Sequence, residues 1–404
     1  MTSMDSRTES CPVLNFDFAA SKPEGTWRRT YDELRAQFPW YRNEFGPGFW
    51  TFVNHEGILQ ILQDPKTFSS SSVSPFDPDP PYKWIPEMLD GDEHKQWRRQ
   101  LGPLFAPGAV ERMDATVRRR AIAIIDGLVE KGSCDFMADF AQQFPTTIFL
   151  ELMGLPVEEL SQFLEWEHTI LHTPNVAGTQ QDSSSEQNQS VQMEAMIAVM
   201  GRFAAIIAER REQPRDDIIS KAIGYRIDGE PVSDADLLSF CLLMFMAGLD
   251  TVTMTLGWSF LHLARNPQDR KRIAEDRDSI PRAVEEFLRA YAIVIPARKV
   301  VADVEVQGCP LKAGDMVSLP LVAATRDDDA FANATAIDID RFPNNHIAFG
   351  AGPHRCLGSH LARRELKIAL EEWHKRIPNY QLAPEADLIE YGGQIGLESL
   401  PLVW

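Results

Sequence analysis

A long apolar stretch from residue 237 to residue 264 constrains the fold most strongly. Asp250 is its only charged residue, and the stretch is long enough to span a bilayer. A charged side chain at the bilayer centre costs about 2.5–3.5 kcal/mol on insertion scales, and several serine, threonine and histidine residues dilute the apolarity further. We therefore favour a helix through the centre of a large domain, hydrophobic on nearly all sides, and expect no membrane span.

Composition excludes several protein classes. The chain of 404 residues is 44% hydrophobic, which is enough to bury a large core and excludes global disorder. A net charge of −19 argues against nucleic acid as a partner, because phosphate binding needs a basic face. The five cysteines form no CxxC pair and the first ten residues are polar. We therefore expect no secretory signal and a reducing, cytoplasmic location.

Apolar residues at helical spacing dominate the chain and predict a mainly α fold. The clearest helical patterns lie at 107–131, 144–153, 193–211 and 359–376. Short strand patterns lie at 49–53, 299–306 and 316–319. We expect one domain over 1–404, a large helical domain with a long central helix and a small antiparallel β portion. Residues 1–20 are expected to form a tail, and the polar region at 174–192 a mobile, lid-type loop.

Residues 349–358, FGAGPHRCLG, carry the most informative local pattern. Three glycines and a proline force a tight loop, and Cys356 lies at the start of the following helix, where the amides and the dipole favour a thiolate. A buried, inert cysteine in a glycine-rich turn is the simpler interpretation. A phosphate-binding loop is disfavoured because no Lys-Ser/Thr pair follows.

These ten residues resemble the haem-binding signature of the cytochrome P450 monooxygenases, Phe-Gly-x-Gly-x-His-x-Cys-x-Gly, at every fixed position. Three further motifs occur in the order that this family has: HKQWR at 94–98, AGLDT at 247–251 and EFLR at 286–289. The chain is most similar to the bacterial camphor-hydroxylating branch, which the segments LARRE at 361–365 and LPLVW at 400–404 also resemble. The resemblance covers most of the chain and implies the fold of that family.

The resemblance implies haem b, iron protoporphyrin IX, as cofactor and Cys356 as its axial iron ligand. A thiolate ligand donates electron density that favours O–O cleavage. Phe349 is expected beside the sulfur, and the loop glycines allow the backbone to approach it. The family resemblance places His94, Arg98, Arg298 and His354 at the haem propionates, which are anionic and need cationic partners. The expected cofactor-binding residues are His94, Arg98, Arg298, Phe349, Gly350, Gly352, His354, Cys356 and Gly358.

Asp250 and Thr251 interrupt the most apolar helix and are the candidate catalytic pair. A threonine in a helix commonly hydrogen-bonds the carbonyl four residues earlier, and a buried aspartate commonly pairs with an arginine. The family resemblance instead implies that the two residues supply protons to the dioxygen at the haem.

Glu286 and Arg289 could be a surface pair of little energetic value. The family places such a pair in the interior, linked to a later arginine, here Arg341, in a structural role.

The substrate pocket is inferred from the same branch. In that branch a tyrosine hydrogen-bonds a carbonyl of the substrate. The corresponding residue of this chain is Tyr82, in the segment YKWIP at 82–86. The pocket residues expected are Tyr82, Trp84, Leu243, Met246, Ala247, Val294 and Ile295. Tyr82 and Trp84 could also be ordinary loop residues. Pro296 and Gln394 depart from the branch pattern, so a terpenoid, ionone-like molecule or branched lipid is a better expectation than camphor itself.

The motifs fill the chain and leave no room for a flavin or nicotinamide domain. Electrons are therefore expected from a ferredoxin and its ferredoxin reductase, with docking on basic residues near Cys356. The enzyme is expected to be a monomer that uses dioxygen.

Two other functions remain open at this stage. A peroxide-driven peroxygenase usually lacks the acid–alcohol pair, and a non-catalytic haem-binding ligand sensor would consume no dioxygen.

Overall fold

Helices make up most of residues 11–172 and 186–404, which the computed structural model describes. The α-helices are α1 (Thr26–Arg35), α2 (His55–Gln63), α3 (Gly91–Phe105), α4 (Pro107–Arg112), α5 (Asp114–Asp126), α6 (Gln143–Met153), α7 (Leu160–His172), α8 (Glu186–Glu212), α9 (Ile218–Ile223), α10 (Asp234–Gly248), α11 (Asp250–Arg265), α12 (Pro267–Glu275), α13 (Ile280–Ala290), α14 (Leu321–Thr325) and α15 (Ser359–Arg376). The mainly α prediction is confirmed.

The strands are short, and the largest sheet among the described residues has six of them. They are β1 (Val13–Leu14), β2 (Lys22–Pro23), β3 (Trp40–Asn43), β4 (Phe49–Phe52), β5 (Phe68–Ser69), β6 (Ser133–Asp135), β7 (Arg226–Ile227), β8 (Glu230–Pro231), β9 (Ala297–Val300), β10 (Val304–Val306), β11 (Cys309–Leu311), β12 (Met316–Ser318), β13 (Gln381–Leu382), β14 (Ile389–Tyr391), β15 (Gly396–Leu397) and β16 (Pro401–Val403). The main sheet has the order β1-β3-β4-β12-β9-β5. It is mixed, because β1 runs parallel to β3 and β12 parallel to β4.

The predicted N-terminal tail is wrong for residues 11–20. Val13 and Leu14 pair with Arg42 and Asn43, and Phe18 is buried against the ring of Phe49. Apolar residues at this end therefore join the sheet. Residues 1–10 lie outside the described residues.

The central helix is two helices, α10 and α11, that meet at Leu249. The Ser233 side chain caps α10 by accepting the Asp236 N–H at 3.1 Å, as its Ser-x-x-Asp pattern predicts. Leu249 separates the two helices immediately after Gly248. Asp250 and Thr251 therefore begin α11.

Two hydrophobic cores meet at that junction. The first core contains residues of α11, α13, α15 and the main sheet. The second contains residues of α3 and of helices α6 to α10. Leu361 of α15 packs against both. The loop that precedes α15 therefore lies beside the boundary of the two cores.

Two other predicted elements differ from the structure. The helix predicted at 107–131 is broken at Met113 into α4 and α5, and residues 129–131 form a 3₁₀ turn. In the predicted lid-type loop at 174–192, residues 174–185 lie outside the described residues, whereas the backbone from Glu186 onward is helical. That part of the loop prediction is wrong.

Two helical segments among the described residues are long and apolar enough to cross a membrane: Ser190–Glu212, within α8, and Asp234–Arg265, which comprises α10 and α11. The most apolar part of the second is 61% buried in the fold, against 28% for the first. Burial in both cores explains the apolarity of the α10–α11 segment.

Candidate active site

The loop around Cys356 is held by its own backbone. The Gly350 N–H donates to the Ile347 carbonyl and the Cys356 N–H to the Phe349 carbonyl, both at 2.8 Å. Gly350 and Gly352 have φ near +70°, the left-handed conformation that glycine adopts at no steric cost. These bonds fix Cys356 three residues before α15 begins.

The surroundings of the Cys356 thiol push its pKa in opposite directions. Burial raises the pKa, the backbone N–H of Gly358 lowers it by hydrogen bonding, and the positive charges of Arg98 and Arg355 lower it too; the net result is a raised pKa. Although it is desolvated, the Cys356 side chain is exposed. Cys356 is therefore accessible despite the protein around it, which suits a ligand to iron.

The four predicted propionate partners come together. The ring of His94 stacks on the ring of His354, with centroids 4.0 Å apart. Arg98 donates to the Arg355 carbonyl at 2.6 Å. Arg298 is 3% exposed and lies 3.9 Å from Glu87. Residues from three separate parts of the chain thus meet beside the cysteine loop.

This cation cluster fits the propionates of haem. Both ring nitrogens of His354 are buried and make no hydrogen bond, although carboxylate oxygens of Asp90 and Glu87 lie 3.4 and 3.9 Å away. Burial lowers the pKa of His354, but Asp90 and Glu87 more than offset it, so the net shift is upward. A buried imidazole with a raised pKa and with no hydrogen bond at either ring nitrogen is suited to donate to an anionic group.

Glu87 and Asp90 were not among the predicted site residues. They follow the YKWIP segment and precede α3, and both carboxyls have lowered pKa values despite burial, because His354 faces them. Acidic residues in a loop carry no pattern that separates them from surface charges. The only available signal was their spacing from His94, which Glu87 precedes by seven residues and Asp90 by four.

One face of the central helix segment remains accessible. Leu243, Ala247 and Thr251, at i, i+4 and i+8, are partly or fully exposed, whereas most of their neighbours are buried. Such spacing places them on one side of the helix. Met246, predicted to line the same pocket, is 8% exposed and packs in the second core. Its role in the pocket stays a prediction, because Met246 is three residues from Leu243 and therefore borders the same face of the helix.

Asp250 and Thr251 have different surroundings. The Thr251 hydroxyl donates to the Ala247 carbonyl at 3.1 Å. Asp250 is 1% exposed, and its Oδ1 lies 3.4 Å from Nε2 of His172. Glu167 and His172 of α7, which reach Asp250, were also missed by the sequence analysis. A helix ending in a histidine gives no local sign of such a contact.

Glu286, Arg289 and Arg341 form an interior ion network. Arg289 donates to both Glu286 oxygens at 2.7 and 2.8 Å, and neither side chain is exposed. Arg341 donates to the same carboxylate at 3.0 Å. Arg289 also donates to the carbonyls of Thr325 and Ala334. The network ties α13 to the loop that leads toward Cys356.

The remaining predicted pocket residues are spread between the cores. Tyr82 is 42% exposed, with its ring 5.5 Å from that of Trp84. Val294 and Ile295 pack with the first core, and Trp84 with the second. The Ile395 N–H donates to the Ile293 carbonyl at 3.0 Å, which brings the turn containing Gln394 beside Val294.

Comparison with known proteins agrees with this geometry. The model of the cytochrome P450 family matches residues 27–376. A probable cytochrome P450 127A1 of Sinorhizobium fredii is 34% identical over 362 residues, which cover 89% of this chain and 84% of that protein. A methyl-branched lipid omega-hydroxylase of Mycobacterium bovis is 30% identical over 370 residues, covering 89% of this chain and 85% of the relative. The crystal structure of CYP101J2 has a TM-score of 0.87, 30% identity and 100% coverage of both chains.

The matched length and the shared fold cover the cysteine loop, the central helix and the cation cluster together. Haem b is the cofactor of this family, and the residues described above fit it. The chain therefore belongs to the cytochrome P450 family and is a haem-dependent monooxygenase.

Proposed function

We propose that this monooxygenase hydroxylates a small to medium-sized apolar substrate, with Cys356 as the axial thiolate ligand of the haem. The observation that carries the proposal is the desolvated but exposed Cys356 thiol. When bound, the haem supplies the activation of dioxygen with two electrons from outside. Residues of this chain hold the cofactor, orient the substrate and supply protons.

Cofactor binding is assigned to the cysteine loop and the cation cluster. The Gly358 N–H that hydrogen-bonds Sγ stabilises a negative sulfur. Arg98, Arg298 and His354 would hold the propionates, because charge-assisted hydrogen bonds to carboxylates are the strong ones. Burial and the charges of His354 and Arg98 lower the pKa of His94 to about 4, so His94 would contribute the N–H of a neutral ring.

Proton supply is assigned to Asp250 and Thr251. Thr251 lies on the accessible row with Ala247, and the adjacent Asp250 is the buried acid. The Thr251 hydroxyl would pass a proton from Asp250 toward the reacting oxygen. To do so it must release the Ala247 carbonyl, which it contacts at 3.1 Å.

The substrate proposed is a terpenoid, an ionone-like molecule or a branched lipid. Leu243, Ala247 and Val294 supply apolar surface. The Gln394 Oε1 is buried and receives no hydrogen bond from a donor among the described residues. It would therefore accept a hydrogen bond from a hydroxyl group of the substrate. One relative is named for omega-hydroxylation of methyl-branched lipids, which supports this class.

The electrons are proposed to come from a ferredoxin and its reductase. The enzyme is proposed to act as a monomer in the cytoplasm. Arg355 and His360 are exposed beside Cys356. Arg363 and Arg364, however, form ion pairs at 2.6 Å with Glu285 and Asp114. The basic docking face is therefore partly neutralised by the protein's own acids.

Thiolate ligation is tested by the absorption spectrum of the reduced protein with carbon monoxide. We expect a strongly red-shifted Soret band, which Cys356→Ser abolishes because serine provides no thiolate. Cys134→Ser is the matched control, since Cys134 lies in β6 outside the loop, and it should keep the band. An unchanged band in Cys356→Ser would contradict the assignment.

Substrate contact by Tyr82 is tested with Tyr82→Phe. Removing one hydroxyl donor should weaken binding of oxygenated ligands by about 1 kcal/mol, the usual net value of a hydrogen bond. Hydrocarbon ligands of the same shape should bind unchanged. Spectral titration of both ligand sets measures the difference, and equal effects on the two sets would exclude the hydrogen bond.

A further inference from the structure

Asp250 belongs to a buried cluster of three titratable side chains. Glu167 and His172 of α7 and Asp250 of α11 are 4%, 5% and 1% exposed, respectively. One nitrogen or oxygen atom from each lies within 4.8 Å of those of the other two. The cluster brings the end of α7 onto the junction of α10 and α11.

The cluster buries two acidic side chains close to each other. Two carboxyl groups face each other in an apolar region, and within residues 11–172 and 186–404 neither pairs with a lysine or arginine. The Asp250 Oδ2 is buried and receives no hydrogen bond from a donor in that part of the chain. Burying two adjacent anions is so costly that one of them keeps a proton.

Glu167 is the carboxyl that keeps the proton. Burial raises its pKa well above the ordinary value, and the charge of Asp250 and the hydrogen bond between the two carboxyls raise it further. Nε2 of His172 lies 3.4 Å from Oδ1 of Asp250. A protonated Glu167 supplies the donor that the Asp250 carboxylate otherwise lacks.

We propose that Glu167 is a further proton-transfer residue, which shares a proton with Asp250 and delivers it to the Asp250–Thr251 pair during turnover. This inference rests on the relay role proposed for that pair. In the step, the O–H bond of Glu167 breaks as an O–H bond to Asp250 forms, and no electrons are exchanged. Glu167 acts through Asp250 and is not placed on the substrate or the haem.

Histidines connect the cluster to solvent. His168 is exposed, and its ring centroid lies 5.7 Å from that of His172. The ring of His172 also stacks on that of Tyr391 of β14, with centroids 4.2 Å apart. The Tyr391 pKa is raised by burial and by nearby acids, Asp250 and Glu167 among them, so this phenol stays neutral. We therefore assign the return of a proton from solvent to Glu167 to a path through His168 and His172.

The same three side chains have the composition of a site for a divalent cation. A dication between the two carboxyls would replace the shared proton, because metal ligands bind in the deprotonated form. The hydrogen bond between Glu167 and Asp250 favours the proton. Metal analysis of the purified holoenzyme distinguishes the two cases.

The test compares the holoenzyme with Glu167→Gln and with Glu165→Gln, an exposed residue of the same helix. Infrared spectroscopy at neutral pH should show the C=O absorption of protonated carboxyls in wild type and in Glu165→Gln, and the loss of one component in Glu167→Gln. The component of Glu365, whose pKa is also raised by burial, should remain in all three proteins. Product formed per reductant consumed should fall roughly tenfold in Glu167→Gln, less than the 10²-fold or more typical of losing a direct acid. In wild type this ratio should decline as rising pH ionises Glu167, and in Glu167→Gln it should not depend on pH.

Asp250→Asn provides a second measurement if Glu167→Gln does not fold. Without the neighbouring charge, Glu167 should lose its infrared band at lower pH than in wild type. A C=O absorption that is undiminished in Glu167→Gln, unchanged coupling despite loss of the Glu167 component, or one zinc ion per haem would each overturn the proposal. The carbon monoxide spectrum is recorded on the same samples, so that failure of thiolate ligation is recognised separately.

Discussion

At the scale of single residues, accessibility separates Thr251 from the other hydroxyls of α11. Thr251, Thr253 and Thr255 each donate to the carbonyl four residues earlier, at 2.9–3.1 Å. Such bonds satisfy the hydroxyl without any function. Thr253 and Thr255 are buried, whereas Thr251 lies on the accessible row. Position on the helix, and not residue type, makes Thr251 the candidate.

Thr251→Ala should uncouple reductant consumption from product formation. We expect product formation to fall by roughly 10²-fold, the lower end for loss of a positioned proton donor, while electrons are diverted to peroxide. Thr255→Ala removes the same type of back-bond from a buried position and should leave coupling unchanged. Measuring peroxide and product against reductant consumed checks both variants. Equal coupling in the two variants would refute the role of Thr251.

At the scale of elements, the cysteine loop is fixed by one close approach to α2. A Cβ at Gly352 would lie 2.4 Å from the Leu62 carbonyl oxygen and 3.1 Å from Cα of Gln63. A Cβ at Gly350 would meet nothing within 4 Å. Both positions have positive φ, but only Gly352 is also required for packing.

Gly352→Ala should therefore destabilise the protein more than Gly350→Ala. The shared left-handed conformation costs about 1–2 kcal/mol for a residue with a Cβ. Gly352→Ala adds about 1–3 kcal/mol of overpacking against the end of α2. Unfolding with denaturant measures the free-energy difference, and haem content per chain shows whether the loop still binds its cofactor. Equal destabilisation would contradict the contact with α2.

At the scale of the whole molecule, an acidic protein presents a mixed face near its cysteine loop. A groove of about 310 Å³ lies between α4, α13 and α15, and its polar lining combines His360, Arg363, Arg364 and Lys367 with Glu111 and Glu285. Lys367 lies 3.7 Å from Glu371, so three of the four α15 residues are in ion pairs. Arg355 is exposed next to Cys356 and is the best-placed cation for an acidic partner.

Reduction by a ferredoxin should slow as salt is added, because salt screens exposed charges beyond about 10 Å at 0.1 M. Arg355→Gln should lower the rate several-fold at low salt and flatten the salt dependence, since steering depends on local charge. Lys271→Gln, which removes one exposed charge from α12, is the control and should match wild type. Stopped-flow reduction at several ionic strengths makes the comparison. A rate independent of salt in wild type would exclude electrostatic docking on this face.

Much of the local structure followed from the sequence, because short-range patterns encode it. The predicted helix at 359–376 has the bounds of α15, and the capping serine of α10 lies where its pattern indicated. The ten-residue signature around Cys356, together with the ordered motifs, predicted the family that the comparisons confirm.

The sequence by itself determined the mainly α fold, the haem cofactor and the family, since these depend on periodicity and on contiguous motifs. Only the tertiary structure decided which distant side chains meet. Glu167 reaches Asp250, Glu87 and Asp90 face His354, and Met246 packs in the second core. The physical reason is that periodicity specifies which face of a helix is buried, whereas the partner on that face depends on how whole elements pack.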